Sequence, residues 1–580
     1  MITLRLIIGL LFTAVYGLDL DCDFRFSPWN VYTCYPRKLK VHESNVTTTG
    51  VNGVHEPSQS IQDVKCFAIF NQDVNYMPQG YSKYFPNISV LIVNRTEITS
   101  IKKSNFENYH TLYNVLFTNN KITQIDENSF DMLKTLEKLS LDGNKIEKLK
   151  RNTFAKLINL RDLRIGKNNL ETIDSSLFAS NEKLEFLNLS RNKLTQLNAN
   201  QFKDNSRLKQ IHLDDNKLTK LSVELFADCT KLKTISIFGN QLTEIEENLF
   251  KNNKKLTDIY LYKNNIQELH PNTFLNLTNL KLLYLSSNRI KSIPENLFTT
   301  LFKLETLSIS NNNIINLDEK TFYPLVNLNK LYIGSNKLIE LHPNIFHNNT
   351  ELEKLYMDYC DLISIPGDLF HNNLKLQKIN LKNNKLEFIG LNLLMNLNYL
   401  KDVNMQKNLC INRYFPSEIA IDALNIEIKD NCNIIKQWNS LKVQVKTLEN
   451  MVTLKSNENS KLLSEKSELY EQASDNKEEI QDLEGKNDEK SEFLSKKENE
   501  LENCNESVEQ LVDEINELKE SLSFIKSSNK VTNDAQKECE NCSIKIKYLE
   551  SEIEKIKTTK TPTIICAYEE EAKYNCKVQQ

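Results

Sequence analysis

The chain has 580 residues, of which 40% are hydrophobic and 26% charged, and its formal net charge at pH 7 is −4. Because this length exceeds what one ordinary hydrophobic core accommodates, it predicts several domains or an array of repeats. Neither the acidic segment between residues 437 and 557 nor the slightly basic remainder is basic enough to indicate binding to nucleic acid.

The N-terminal stretch MITLRLIIGLLFTAVYG has the features of a cleavable signal peptide. It combines one arginine, an apolar run and small residues at Val15 and Gly17, so residues 1–17 are predicted to direct secretion. No later stretch reaches the roughly 20 apolar residues of a membrane span. Eight Asn-X-Ser/Thr sequons agree with passage through the secretory route. These candidate glycosylation sites are Asn45, Asn87, Asn94, Asn188, Asn276, Asn348, Asn505 and Asn541.

Residues 18–87 contain three cysteines and are predicted to cap the N-terminal end of the repeats that follow. Secretion places these thiols in an oxidising compartment, where disulfides form. Three cysteines cannot all pair within the cap, and their connectivity cannot be read from the spacing. We favour a bond between Cys34 and Cys66, with Cys22 either free or bonded elsewhere.

A 24-residue period dominates residues 88–409, where the pattern L-x-x-L-x-L-x-x-N-x-L recurs without an insertion. Its asparagine stands at every 24th position from Asn120 to Asn336, for example in LEKLSLDGNKI. Thr96 precedes this series in phase, and Cys360, Asn384 and Asn408 continue it, which makes 14 turns. A column of phenylalanines keeps the same period over the same part of the chain.

Because the asparagine and phenylalanine columns keep the same period in phase, this segment resembles the extracellular leucine-rich repeat family. The predicted fold class is α/β, a solenoid of about 14 turns. Each turn contributes a short strand, and stacked turns bury their leucines as one continuous column. The asparagine amide can both donate and accept, so it is expected to bond backbone groups of adjacent turns. The phenylalanines are expected to form a second core stripe on the convex side.

Four further cysteines fall within or beside the repeats. Cys360 occupies the asparagine column and is predicted to be a buried structural thiol. Cys229 occupies a position that holds leucine in other turns, and it is predicted to be buried and inert. Residues 410–434, bracketed by Cys410 and Cys432, resemble the cysteine-flanked C-terminal cap of secreted repeat proteins, which implies that these two cysteines pair.

Residues 435–526 change to a 3-4 spacing of apolar residues, which predicts a long α-helical coiled coil. A break at 527–534, a second short coil at 535–558 and a cysteine-containing tail at 559–580 follow. The stretch Leu501–Ile525 favours a parallel two-stranded coil, and a solvated single helix is the alternative. Cys504 lies on the coil seam, where it would meet its own copy in a homodimer. The candidates for an interchain disulfide are Cys504, Cys22, Cys539 and Cys542.

The whole domain order resembles secreted insect leucine-rich repeat proteins with a C-terminal coiled coil, in particular the long leucine-rich immune proteins of mosquitoes. This resemblance implies a homo- or heterodimer formed through the coil, a complement-like thioester protein as partner, and innate-immune recognition. An extracellular adhesion or matrix-type ligand-binding protein is the alternative. The sequence shows no nucleophile–base constellation, zinc motif or phosphate loop, so we predict no enzyme, no cofactor and no metal site.

Side chains alternate along a strand, so the residue between the two inner leucines of each turn is expected to point out of the concave face. Four tyrosines occupy this column, and three aromatic residues lie on neighbouring outward positions. Tyrosine concentrates in protein-binding surfaces, although it also suits exposed strands without any ligand. The candidate ligand-binding residues are Tyr260, Tyr284, Tyr332, Tyr356, Tyr262, Tyr359 and Phe238.

Overall fold

The computed structural model describes residues 17–432, 453–454, 457 and 460–468, and those beyond 432 are helical. Residues 1–16 of the predicted signal peptide, the break, the tail and most of the predicted coiled coil lie outside the described residues, as do Cys504, Cys539 and Cys542. The chain divides into two compact units, and the first includes residues 17–386 and 391–426.

The N-terminal cap is built from six strands and a short 3-10 helix at Ile61–Asp63. The strands are β1 (Gly17–Phe26), β2 (Tyr32–Pro36), β3 (Lys40–Val41), β4 (Thr47–Asn52), β5 (Cys66–Phe70) and β6 (Asp73–Val74). The strand β1 pairs with β2 in antiparallel fashion, β2 pairs in parallel with β5, and β5 pairs in parallel with the first strand of the repeats. The cap therefore adds the parallel strands β2 and β5 to the sheet of the repeats, and β1 and β4 belong to the same sheet.

Fourteen strands of the repeat region form one parallel stack, one strand for each predicted turn. They are β7 (Val90–Asn94), β9 (Asn114–Thr118), β11 (Lys138–Ser140), β12 (Asp162–Arg164), β13 (Phe186–Asn188), β14 (Gln210–His212), β15 (Thr234–Ser236), β16 (Asp258–Tyr260), β17 (Leu282–Tyr284), β18 (Thr306–Ser308), β19 (Lys330–Tyr332), β20 (Lys354–Tyr356), β22 (Lys378–Asn380) and β24 (Asp402–Asn404).

Short elements complete the turns and follow the last strand of the stack. They are the strands β8 (Ser100–Ile101), β10 (Gln124–Ile125), β21 (Ser364–Ile365), β23 (Phe388–Ile389) and β25 (Tyr414–Phe415), the 3-10 helices Tyr81–Lys83 and Lys103–Phe106, and the helix α1 (Glu418–Asn431). The strand β25 pairs antiparallel with β24, so the parallel stack ends there.

The register of the stack is 24 residues at every step within the repeats. Leu283 of β17, for example, pairs with Ile259 on one side and Leu307 on the other. These middle residues are buried, and so is the phenylalanine column from Phe106 to Phe370. Both predicted core stripes are thus confirmed, because equal spacing in sequence places equivalent residues side by side in the stack.

Aromatic rings of neighbouring turns are spaced differently on the two sides of the array. In the phenylalanine column, contacting rings of neighbouring turns have centroids 5.6 to 6.5 Å apart. On the strand side, three aromatic pairs from neighbouring turns have centroids 4.3 to 5.4 Å apart. The strand side is the predicted concave face, and we call it the concave face.

The asparagine column forms the predicted ladder of hydrogen bonds. The amide of Asn168 donates to the carbonyl oxygens of Leu141 at 2.9 Å and Ile165 at 3.2 Å, and its Oδ1 accepts from the backbone N–H of Ile146 at 3.0 Å. One side chain therefore satisfies backbone groups of its own turn and of the turn before. Cys360 replaces this arrangement with a weak contact from Sγ to the carbonyl of Ile333 at 3.7 Å.

A second asparagine ladder lies three residues after the phenylalanine column. It was not predicted from the sequence. The amide of Asn253 donates to the carbonyls of Phe226 and Cys229, both at 3.0 Å, and its buried Oδ1 has no partner in the described part of the chain. Leucine occupies this column in other turns, such as Leu157 and Leu277. The ladder comprises Asn181, Asn205, Asn253, Asn349 and Asn373.

The two ladders are expected to differ in their contribution to stability. Asn264→Leu should lower the free energy of unfolding by about 2 to 4 kcal/mol, because it leaves three buried backbone groups without their partner. Asn253→Leu should cost about 1 kcal/mol or less, since it also removes an unsatisfied oxygen from a column that accepts leucine. Thermal melting of both variants tests this contrast, and equal losses would contradict it.

The cysteines of the N-terminal cap pair differently from the expectation. Cys22 is bonded to Cys34, so the expected Cys34–Cys66 bond is wrong, and so is Cys22 as a candidate for an interchain bond. The reason is the alternation of side chains along β2: Cys66 is in register with Thr33, whereas Cys34 is in register with Phe67. Cys34 thus faces the opposite side of the sheet from Cys66, toward Cys22 of β1.

Three further cysteines, Cys66, Cys229 and Cys360, are buried free thiols. Cys229 is 0% exposed and Cys360 is 5% exposed, so both are buried as predicted. Burial raises the pKa of Cys229 to about 12 and that of Cys360 to about 11, so both stay protonated and unreactive at neutral pH. Cys66 is likewise buried and free, with a pKa of about 12. Cys410 and Cys432, which were predicted to pair, are both disulfide-bonded.

Candidate functional site: an aromatic concave face

The strands of the array hold the candidate tyrosines at equivalent positions. In each three-residue strand the middle side chain points into the core, so the third points out of the concave face. Tyr260, Tyr284, Tyr332 and Tyr356 are the third residues of β16, β17, β19 and β20. Strand register makes Tyr260 the direct neighbour of Tyr284, and Tyr332 that of Tyr356.

Six of the seven candidate residues form three stacked pairs. The ring centroids of Tyr260 and Tyr284 are 5.4 Å apart with an interplanar angle of 17°, and those of Tyr332 and Tyr356 are 4.6 Å apart at 8°. Phe238 and Tyr262 stack at 4.3 Å and 8°. Because each ring covers one face of its partner, a pair presents ring edges, tyrosine hydroxyl groups and the two outer ring faces.

Burial keeps three of these hydroxyls protonated. It raises the pKa of Tyr260, Tyr262 and Tyr332 above the usual tyrosine value. The ammonium group of Lys378 lies 5.7 Å from the centroid of the Tyr356 ring and is held there by an ion pair with Asp402 at 2.7 Å. Tyr260, Tyr262 and Tyr332 are therefore half-buried, neutral hydrogen-bonding groups at physiological pH.

Tyr359 stands apart from the three pairs. It occupies the turn after β20 with a positive φ of 57°, and 53% of its surface is exposed. Among the described residues it makes no ring stacking contact. Sequence spacing correctly placed it on an outward position, but its ring is not part of the stacked cluster.

A polar depression of about 740 Å³ lies on the concave face beside the aromatic pairs, and the sequence reading missed it. Two ion pairs lie in it: Arg164 contacts Asp162 through two hydrogen bonds of 2.9 and 3.0 Å, and Arg191 pairs with Asp215 at 3.3 Å. Phe238 lies at its border. The signal in the sequence was a run of charged residues at outward strand positions in consecutive turns.

One acidic side chain of this depression, that of Asp142, is partly buried and hydrogen-bonded. Asp142 accepts a hydrogen bond from the backbone N–H of Gly166 at 2.5 Å, and burial raises its pKa above the usual aspartate value. A Cβ atom at position 166 would lie 2.8 Å from the amide nitrogen of Asn188 and 3.1 Å from the carboxylate of Asp142. A larger residue at position 166 would therefore require the side chains of Asn188 and Asp142 to shift.

The described sequons divide between two sides of the array. Asn188 lines the polar depression, and its Oδ1 accepts from the backbone N–H of Ser190 at 3.0 Å. Asn94 is also a strand residue, at the end of β7, where its Oδ1 accepts from the amide of Asn119. Asn87 and Asn276 are exposed, and Asn45 and Asn348 are half-buried. Asn505 and Asn541 lie outside the described residues.

Within the described part of the chain, no helix has the length and apolar character that crossing a membrane requires.

Comparison with known families identifies the repeats. A family model described as "Leucine rich repeat" matches residues 86–146, 134–194, 158–218 and 302–362. A second model, "BspA type Leucine rich repeat region (6 copies)", matches residues 195–328. No curated protein matches the chain.

Solved structures show the same fold. The structure of a TLR13–ssRNA13 complex has 26% sequence identity and a TM-score of 0.55, and the match covers 63% of this chain and 54% of that one. A leucine-rich repeat protein of Leptospira interrogans has 22% identity and a TM-score of 0.56, covering 64% and 89%. The APL1 leucine-rich repeat domain has 16% identity and a TM-score of 0.50, covering 67% and 89%.

The match to TLR13 spans about half the length of that protein. The likeness at 22% and 16% identity concerns the fold alone. The 24-residue register, the buried asparagine ladder and the two matching family models identify residues 86–362 as leucine-rich repeats.

Proposed function

We propose that the protein is a secreted scaffold that binds a protein ligand on its concave face, at the three stacked aromatic pairs. The single observation that carries this proposal is the placement of Tyr260, Tyr284, Tyr332 and Tyr356 in one outward column, half-exposed and stacked two by two. Rings that are held in place before binding lose little conformational entropy on contact, which favours tyrosine at protein interfaces.

The groups exposed on the concave face favour a protein as the ligand over a nucleic acid or a sugar. TLR13 is in complex with ssRNA13 in its structure, but the polar depression here has no excess of positive charge that would attract phosphate groups. Its acidic residues Asp142, Asp162, Asp214 and Asp215 equal in number its basic residues Lys138, Arg164, Lys167 and Arg191. Sugars stack on open ring faces, and each ring of a pair has one of its two faces covered by its partner. Ring edges and hydroxyls suit the mixed apolar and polar surface of a protein.

A finer proposal follows from the sequence resemblance. We infer an innate-immune role in which the concave face holds a complement-like thioester protein, and a dimer forms through the C-terminal coiled coil. Since Cys22 is bonded within its own cap, the candidates for an interchain disulfide are Cys504, Cys539 and Cys542. The alternative is an adhesion or matrix-type protein, and expression induced by infection would favour the immune role.

Single alanine substitutions test the aromatic site. The tagged full-length protein is used to capture its partner from the body fluid of the source organism, and the partner is identified by mass spectrometry. Tyr260→Ala, Tyr284→Ala, Tyr332→Ala and Tyr356→Ala are then compared by their affinity for that partner. At least two of them should weaken binding by roughly 10-fold or more, as central interface tyrosines do.

Tyr323→Ala is the matched control for these variants. Tyr323 belongs to the same array, is 55% exposed, and follows Phe322 of the convex column. It should leave both affinity and melting temperature unchanged. If all four concave variants kept the affinity of the original protein, the site would have to be sought on the convex side or in the coil.

A further inference from the structure

The outward column of tyrosines has a gap of one turn. In strand register it reads Tyr260, Tyr284, Ser308, Tyr332 and Tyr356, so a serine separates two stacked pairs. Ser308 is only 6% exposed, and its hydroxyl is hydrogen-bonded to the hydroxyl of Ser286. The gap therefore lies between the rings of Tyr284 and Tyr332, and its base is the small side chain of Ser308, whose hydroxyl already has a hydrogen-bond partner.

The width of the gap fits one planar group. Neighbouring parallel strands are about 4.8 Å apart, so the rings of Tyr284 and Tyr332 stand about 10 Å apart. A ring inserted midway would lie about 5 Å from each wall. This matches the 5.4 and 4.6 Å between the centroids of the two existing pairs. Tyr284 and Tyr332 each turn their uncovered face toward the gap, because their other face is covered by Tyr260 and Tyr356.

The charges beside the gap select among planar side chains. Lys330 and Lys354 begin β19 and β20 on the same face, two residues before Tyr332 and Tyr356, and neither has an ion pair among the described residues. Glu353 offsets one of these charges, while Lys378 is neutralised by Asp402. The excess positive charge disfavours an arginine or a protonated histidine in the gap, and it favours an uncharged ring.

A second depression, of about 550 Å³, includes Thr306 and Lys330, which begin the strands β18 and β19 of Ser308 and Tyr332. Its other charged residues are Lys281, Lys303, Glu305 and Glu351. Lys281 and Glu305 form an ion pair at 2.6 Å, and Glu351 pairs with Lys375 at 2.6 Å, whereas Lys330 remains unpaired in the described part of the chain. A carboxylate one or two residues from the inserted ring would reach Lys330 there.

We propose that Tyr284 and Tyr332 form a socket over Ser308 that receives one aromatic side chain of a protein ligand, next to an acidic residue of that ligand. The proposal deepens the proposed function, on which it rests, by naming the anchor group. Insertion completes a continuous column of five rings and excludes water from both inner tyrosine faces. The acidic neighbour pairs with Lys330.

The socket is tested with a peptide probe on the full-length protein. Acetyl-Glu-Trp-Glu-amide is added at concentrations around its expected affinity, roughly millimolar for a single anchor side chain, and saturation-transfer NMR detects contact with the indole protons. Acetyl-Glu-Ala-Glu-amide and acetyl-Lys-Trp-Lys-amide are the comparison peptides. The acidic tryptophan peptide should give the strongest transfer, and equal transfer to all three peptides would overturn the proposal.

Variants that fill the gap with a side chain of the protein itself give the decisive test of the socket. Ser308→Tyr should abolish the transfer to the indole, because the protein's own ring then occupies the socket, whereas Ser308→Ala should keep it. Ser140→Tyr is the matched control, since Ser140 is also buried and belongs to the same outward column in a distant turn. Melting temperatures report whether each variant is folded, and Tyr284→Ala, which removes one wall, should also lose the signal.

The outcomes separate the socket from the proposed function. If Ser308→Tyr binds the peptide as well as the original protein does, the socket is wrong. If the tyrosine variants lose the captured partner while Ser308→Tyr keeps it, the concave binding site is supported and the socket is contradicted. If Ser308→Tyr and both wall variants lose the captured partner, and Ser140→Tyr keeps it, the socket is supported with the native ligand.

Discussion

Replacing Leu285 with aspartate is expected to lower the free energy of unfolding by several kcal/mol and to reduce secretion sharply. Leu285 has no exposed surface and lies in the leucine column between Leu261 and Ile309. A carboxylate at this position would be buried without a partner, which is among the most destabilising single changes known. Secreted yield and thermal melting of the full-length protein measure the effect.

Leu282→Asp is the matched control for this substitution. Leu282 begins the same strand, β17, but its side chain is half-buried on the outward face. The same column holds Asp162, Asp258 and Asp402 in other turns, so an aspartate is compatible with it. The control should melt within a few degrees of the original protein. A Leu285→Asp protein secreted and melting normally would contradict the packing described above.

Removal of the Cys22–Cys34 disulfide is expected to have the second largest effect. In Cys22→Ser the lost bond closes a loop with a sequence separation of 12, and loop-closure entropy predicts a loss of about 3 kcal/mol. Cys66→Ala is the control: this thiol is free and buried, so its removal should cost only about 1 kcal/mol. Unfolding of both variants is followed by circular dichroism without reductant.

Peptide mapping under non-reducing conditions provides an independent check of the pairing. Digestion of the original protein should yield a linked peptide pair that contains Cys22 and Cys34, while Cys66 is recovered as a free thiol after denaturation. Recovery of a Cys34–Cys66 link would show that the cap has a different strand register. A larger loss of stability in Cys66→Ala than in Cys22→Ser would point the same way.

The sequence by itself determined the periodic part of this protein. A constant step of 24 residues means that each residue's neighbours in the stack are its equivalents one turn before and after, so every column can be read from the chain. The core leucines, the phenylalanine stripe, the Asn168-type ladder and the outward tyrosines were predicted in this way, and the structure has them at those places.

Tertiary structure alone decided the features that do not follow from that period. The pairing of Cys22 with Cys34 depends on which face of β2 each side chain occupies, and the cap does not repeat. The stacking of Tyr260 on Tyr284, and the paired charges of the polar depression, depend on side-chain torsions and on the curvature of the array. The 24-residue period determines which residues are neighbours in the stack. The packing of their rings and the pairing of their charges determine the geometry of each contact.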